Sequence, residues 1–412
     1  MEDKKINSNF SLFGLPEKVV HCKKCLMHNQ KPYSINESKH TIEKLKDNLK
    51  FDEEGVCEAC RYSEKKKTID YSGREKLLLK MLDKYRKDNG EYDCIVSGGG
   101  GKDSMSVSHM LKYKYGMHPL TITYSPLLYT DVGWRNMQNW INKGGFDNYL
   151  FTPNGKVASI LAREALENLY FPLQPFKFGI KSYAMKMAMR LKIDLVMYGE
   201  DGTEYGSNNI EQADSPSYDI THYTNDNKDV YIAGRPLKYL LDKHKLEMND
   251  FYPYMPIRSE EVEGSNLRVE HLAWYIKWDP QSAYYYASKN CGFESDVERT
   301  DGTYGKYASI DDKFESLHYY TQYIKFMIGR TRFDASQEIR NGHIDKEEAI
   351  ALAKKYEGEV PKRYLKDCLD FMGLTEKEFV DITDQFRSPH LWKKDKDKWI
   401  PIQELSEISN KI

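Results

Sequence analysis

Between residues 91 and 200 the chain alternates short apolar runs with longer stretches whose apolar positions recur every three or four residues. The runs "DCIVS", "PLTITYS", "DNYLFTP" and "IDLVMYG" predict strands, the first and last of them buried, and residues 103–116, 132–143, 155–169 and 178–191 predict helices. Strands this apolar, separated by helices, predict a parallel sheet covered on both faces. The expectation is a doubly wound α/β domain over about residues 91–235. Ahead of it, residues 17–62 hold two cysteine pairs in a polar setting, and residues 63–90 form a connector whose Leu77, Leu78, Met81, Leu82 and Tyr85 follow a helical spacing. Behind it, residues 236–412 are mostly helical in pattern, with "PLKYLLDKHKL", "IDDKFESLHYYTQYIKFMIG", "DKEEAIALAKKYEG" and "PKRYLKDCLDFMG" as the clearest segments. Asp311 is expected to cap the helix that carries Phe314, Leu317 and Ile324, and Asp345 the helix that begins "KEEAI".

Charge and composition narrow the partners. Lys plus Arg number 61 against 63 Asp plus Glu, a net charge of -2, so nothing advertises a bulk polyanion and no nucleic-acid partner is expected. No apolar run approaches the roughly 20 residues of a membrane span, and the polar start "MEDKKINSNF" lacks a signal-peptide core, so a cytoplasmic protein is expected. The 31 tyrosines suit either a polar ligand cleft or the edges of amphipathic helices.

The most chemical stretch is "CIVSGGGGKDSMSVSHM", residues 94–110. A strand that ends in Gly98, Gly99, Gly100 and Gly101 and opens a helix gathers backbone N–H groups around one concavity, at the positive end of that helix. Such a nest suits phosphate. Lys102 adds a mobile positive charge, Asp103 a carboxylate for a divalent cation, and Ser104 a hydroxyl. The spacing fits neither G-x-x-x-x-G-K-S/T nor G-x-G-x-x-G, which disfavours transfer of a γ-phosphate. A glycine-rich turn with no ligand is the plain alternative.

Cys22-x-x-Cys25 and Cys57-x-x-Cys60 have the knuckle spacing of a four-thiolate zinc site, with redox pairs or an iron–sulfur cluster as alternatives. Four cysteines close such a site, so His21 and His28 read as surface histidines. Cys94 reads as a small buried hydrophobe. At the end of the strand "LVMYG", Glu200 and Asp201 should face the same crevice as the glycine loop, holding Mg or a substrate hydroxyl, or else forming an ordinary polar loop.

The loop resembles the pyrophosphate-binding S-G-G-x-D-S loop of the PP-loop ATP pyrophosphatase superfamily, with Ser97 two residues ahead of the family's serine position. The order of zinc knuckles, "SGGGGKDS", "YGEDGTEYG", "YIKWDPQSAYYYA", "ERTDGTYGKYASIDDKFESLHYYTQYIKF" and "GRTRFDASQEIRNGHI" is similar to the N-acetyl sugar amidotransferase family of surface-glycan biosynthesis, over about residues 17–385. Asp201 stands where that family's pattern has Asn.

That resemblance implies a PP-loop domain with an N-terminal zinc-ribbon module and a helical substrate region. It further implies ATP-dependent conversion of a sugar N-acetamido group to an acetamidino group, with ATP, Mg and Zn as cofactors. Ser97, the four glycines, Lys102, Asp103 and Ser104 would hold pyrophosphate and metal, Glu200 would join the catalytic set, and Thr123 and Tyr124 would contact adenosine. Arg299, Asp301, Asp311, Asp312, Arg330 and Arg340 would bind the N-acetyl sugar, and a separate glutaminase subunit would supply ammonia. A tRNA thiolation enzyme can join zinc knuckles to the same loop. It would require cysteines near the loop and a basic RNA face.

Overall fold

Five short strands form one parallel sheet: β1 (Cys94–Ser97), β2 (Pro119–Tyr124), β3 (Asn148–Phe151), β4 (Leu195–Tyr198) and β5 (Arg268–His271), in the order β3-β2-β1-β4-β5. The computed structural model describes residues 11–33, 46–199, 203, 210–217, 220, 224 and 230–402. Successive side chains leave a strand on opposite faces, and both faces here are covered. Cys94, Val96, Leu195 and Met197 pack against Met105 and Val107 of helix Lys102–His109 and against Met137 and Trp140 of helix Asp131–Asn142. Ile95, Leu120, Ile122, Val196 and Val269 pack on the other side against Ala184, Met185 and Ala188 of helix Gln174–Leu191. The doubly wound α/β reading of the apolar pattern is therefore the observed fold.

Strand order reverses at β1, which has β2 on one side and β4 on the other. In open parallel sheets the crevice beyond the strand ends at such a reversal is where ligands bind. The glycine loop leaves β1 at this place.

Several local expectations change. The sheet takes its fifth strand from Arg268–His271, well past residue 235. The helix expected from residue 178 begins at Gln174, because Pro175 lies in the first turn, where its missing N–H has no helical acceptor to lose. Asp311 does not cap helix Phe314–Phe326. Its neighbour Asp312 accepts the Phe314 N–H at 3.0 Å. Asp345 does cap helix Lys346–Tyr356, accepting from the Glu348 N–H at 2.8 Å.

The C-terminal region is mostly helical and includes a hairpin, Trp392–Asp395 with Lys398–Pro401. It shares a core with the sheet domain: Leu161, Tyr170 and Phe176 are buried together with Phe314, Leu317, Phe379 and Trp392. Helix Pro280–Cys291 lies along the glycine-loop helix, where Ala283 O accepts the Ser106 hydroxyl at 3.0 Å. Among the described residues no helix is long and apolar enough to cross a membrane.

Candidate active site at the glycine loop

Sterics explain why the loop is glycine. A Cβ on Gly98 would lie 2.2 Å from Ser104 Cβ, and one on Gly100 would lie 2.8 Å from Met137 Cα. Gly100 also has φ +81°, the left-handed region. The loop thus folds tightly between the start of its own helix and helix Asp131–Asn142. Ser97 ends β1, half-buried and paired across to Ile122. Gly101 is the N-cap of helix Lys102–His109 and offers no side chain to its first N–H groups, which leaves these donors to a ligand. Ser104 Oγ donates to Gly101 O at 3.0 Å and pins the loop.

Lys102 and Asp103 are ion-paired, with the Lys102 side chain buried near the Trp278 ring and Asp103 partly open. Gly199, which follows β4, lets Asp103 approach: a Cβ there would stand 3.2 Å from Asp103 Cβ. Lysine and carboxylate therefore sit on the β4 side of the loop.

The opposite, β2 side is covered by the C-terminal region. Thr130 N donates to Asp311 O at 3.1 Å, Lys313 N to Leu128 O at 2.9 Å, and Gly133 packs directly on the Asp311 backbone. This staple brings Asp311 Oδ2 to 3.0 Å from where a Gly99 Cβ would be. Burial, then the charge of Glu315, push the Asp311 carboxyl up to about 6, against the pull of Lys177.

Behind Asp311 stand residues that sequence reading missed. Lys177 Nζ donates to Glu315 Oε1 at 2.6 Å. Burial opposes both charges, yet each partner favours the other's ionised form, so Lys177 is raised and Glu315 lowered from their usual values. His318 follows one turn on, stacked on Phe171 with ring centroids 4.7 Å apart, and its Nδ1 is buried without a hydrogen-bond partner. Glu315 and His318, three apart on one helix, were the available signal. Lys177, inside the run "FPLQPFKFG", gave none.

Burial holds His318 at about 3, so it is neutral in the native protein. The unfolded chain takes up the proton that the native site refuses, so this group's contribution to stability is full above pH ~6.5 and drains as pH falls. In urea titrations, His318→Gln is expected to unfold with a shallower pH dependence than the parent between pH ~6 and ~4, by up to roughly 1.4 kcal/mol per pH unit. Equal slopes would mean that His318 is not held neutral.

The remaining nominated residues divide. Thr123 and Tyr124, expected at adenosine, are interior instead: Thr123 Oγ1 accepts from Asn148 Nδ2 at 2.9 Å, and Tyr124 is packed among Phe151, Phe176 and Tyr183. The strand reaches its end at Tyr124, but the layers on both faces extend as far. Asp312 is consumed by structure, accepting backbone N–H groups of Leu127, Leu128 and Phe314. Burial pushes its carboxyl up to about 7 against those bonds. Asp301 shares a small polar recess with Asp312, Ser309, Ser316 and Arg363. Arg299 is closed on Glu359 by two bonds of 2.6 and 2.8 Å. Arg330 approaches the Lys177–Glu315 group, pairing with Asp334 at 2.7 Å and contacting the Tyr319 hydroxyl. Arg340 lies away from it, its carbonyl accepting from Ser63 of helix Glu58–Lys66. Glu200 and Asp201 lie outside the described residues.

The cysteine pairs do converge. Cys22, Cys25, Cys57 and Cys60 are buried with all four sulfurs within 4.8 Å of one another. Cys22–Cys60 is 3.9 Å and Cys25–Cys57 3.7 Å. A tetrahedron with Zn–S bonds of about 2.3 Å has edges near ~3.8 Å, so the set fits zinc, and the sulfurs are far from disulfide contact. The module docks on the C-terminal region: Cys57 and Cys60 pack with Ile328 and Phe333, Leu26 N donates to Ser336 Oγ, and Arg332 reaches Leu26 O. His28, expected at the surface, is buried in this joint against Met327 O at 3.1 Å.

No curated protein sequence matches the chain. Among solved structures it is similar to U34-tRNA thiolase NcsA from Methanococcus maripaludis, at 10% identity and TM-score 0.29, covering 79% of this chain and 86% of that one. It is also similar to NMN synthetase from Francisella tularensis, at 11% identity and TM-score 0.24, covering 56% and 98%. At such TM-scores neither likeness bears on function. Residues 301–406 match the C-terminal domain of the WbpG-like proteins of lipopolysaccharide biosynthesis, and it is this region that lays Asp311 on the glycine loop and takes the four-cysteine module on another side.

Proposed function

We propose that the protein is a cytoplasmic ATP-dependent amidotransferase of surface-glycan biosynthesis, which converts a sugar N-acetamido group to an acetamidino group. The observation that carries this reading is the meeting of a lipopolysaccharide-biosynthesis domain with a glycine anion nest, through Asp311 and Gly99. An amide is a poor electrophile, and its oxygen a poor leaving group. Attack of the amide oxygen on the α-phosphorus of ATP makes that oxygen part of a phosphate ester and releases pyrophosphate into the nest. Lys102 and the loop N–H groups neutralise the developing charge. Asp103 is the carboxylate that would hold Mg against the phosphates. Ammonia then displaces AMP. A separate glutaminase subunit would deliver it.

Thiolation of tRNA has less support. Four of the seven cysteines form the metal set, and Cys94, Cys291 and Cys368 are fully buried in packed cores. Burial pushes the Cys94 thiol well up from its usual value, so it is a poor sulfur nucleophile.

The test is pyrophosphate release with ATP, Mg and ammonium across free, nucleotide-linked and lipid-linked N-acetyl sugars. Release with one sugar class is expected, falling at least ~100-fold in Lys102→Ala. Release only with RNA would overturn the sugar reading.

A further inference from the structure

Of two adjacent acids, Asp311 and Asp312, only the first meets the glycine loop, and the structure treats them differently. Asp312 is saturated by three backbone N–H groups. Asp311 has the same backbone staple, but among the described residues no other side chain hydrogen-bonds to its carboxylate, which rests on the loop at Gly99. A carboxylate held only by its own backbone N–H, beside a nest built for anions, is repelled by the phosphates the nest would hold. Its natural counterpart there is a cation or a proton-bearing nitrogen. Lys177, anchored by Glu315, stands behind it and favours its charged form against burial and the charge of Glu315, while Asp312 and the Tyr129 hydroxyl also face it.

Resting on the amidotransferase reading, we propose that Asp311 is the catalytic base of the ammonia step, with Lys177 and Glu315 as its positioning pair. The step balances as follows. The nitrogen lone pair of ammonia forms a bond to the imidate carbon, giving a tetrahedral centre with an N–H3 cation. The Asp311 carboxylate takes one proton from that nitrogen and returns it to the former amide nitrogen. The C–O bond then breaks, AMP leaves with the electron pair, and the product is an amidinium ion. No oxidant or further reactant is needed. A carboxyl held near 6 is suited to both halves of this transfer at neutral pH.

The experiment separates the two half-reactions in the full chain. Sugar-dependent exchange of labelled pyrophosphate into ATP, without ammonia, reads adenylation; amidine formation with ammonium reads the whole reaction. Asp311→Asn is expected to lose amidine formation at least ~100-fold and to lose exchange by far less, because only the second half-reaction uses the base. Hydroxylamine, which is neutral near pH 7 and a stronger nucleophile, should restore turnover of the adenylate in this variant, giving an amidoxime. Lys177→Met, which spares the stapled segment, should show the same split more weakly, and Asp311→Glu should recover part of the ammonia reaction. Loss of exchange together with amidine in both Asp311→Asn and Lys177→Met, or no loss of amidine in Asp311→Asn, would overturn the assignment. Absence of sugar-dependent exchange in the parent would instead overturn the amidotransferase reading itself.

Discussion

Cys25→Ala is expected to abolish zinc binding at the four-cysteine set and to destabilise the chain by more than about 4 kcal/mol, with the loss concentrated in the C-terminal region instead of the sheet. Among the described residues the module shares its core with the C-terminal region. Cys22, Cys25, Met27, Leu49, Val56, Cys57 and Cys60 share theirs with Ile328 and Phe333. Its backbone is tied across the same joint: Leu26 N to Ser336 Oγ at 3.2 Å, Leu26 O to Arg332, and Lys23 O to Lys346 at 2.8 Å. Arg332 is itself buried against Glu357, which also accepts the N–H groups of Gly329 and Arg332. Breaking one side of such a buried network leaves charges without partners, which costs far more than the contacts alone. Elemental analysis should find one zinc per chain in the parent and none in the variant. Hydrogen exchange should quicken across helix Arg330–Asn341 while β1, β2 and β4 stay protected. Uniform loss of protection would mean that the module supports the whole fold, and unchanged protection would mean that the joint carries little energy.

Much of this architecture was legible because apolar burial imposes its period on the sequence. Cys94 to Ser97, Pro119 to Tyr124 and Leu195 to Tyr198 are buried strands and read as apolar runs. β5 escaped, since "RVEH" carries Glu270 fully buried in mid-strand, where Arg268, Ser217 and Tyr275 hold it. No local pattern announces a charge that tertiary partners will satisfy. The same reason governs the site. Four cysteines at knuckle spacing have one economical geometry, so their convergence followed from spacing. Which of two consecutive aspartates gathers backbone N–H groups at the start of helix Phe314–Phe326 depends on a loop 184 and 185 residues earlier in the chain, at Leu128 and Leu127. Lys177 and Glu315 lie 138 residues apart and meet only in the fold. Thr123 was placed correctly in its strand. What sequence could not supply was how far the covering helices reach over its end.

Gly100→Ala and Gly101→Ala are expected to behave oppositely, although the two residues are neighbours in one run of glycines. At Gly100 the backbone has φ +81°, and an added methyl would meet Met137 Cα at 2.8 Å and Met137 N at 2.9 Å. The left-handed conformation costs alanine about 1–2 kcal/mol. Overlap with the backbone of helix Asp131–Asn142 adds roughly 1–3 kcal/mol, because a helix axis cannot yield as a side chain does. At Gly101 φ is -73° and nothing lies within 4 Å of the new carbon. Alanine is a poorer N-cap than glycine, so a cost below about 1 kcal/mol is expected there. The functional contrast should be wider than the stability contrast. A nest displaced by about 1 Å no longer presents its N–H groups to pyrophosphate, and misplacement of that size costs on the order of 100-fold in rate. Pyrophosphate release should therefore fall about 100-fold in Gly100→Ala and stay within about threefold in Gly101→Ala. Urea midpoints would separate the two causes: a Gly100→Ala protein folded under assay conditions yet inactive places the defect in the nest. Equal activities in the two variants would mean that the ligand does not depend on the shape of this loop, and the anion-nest reading would fall.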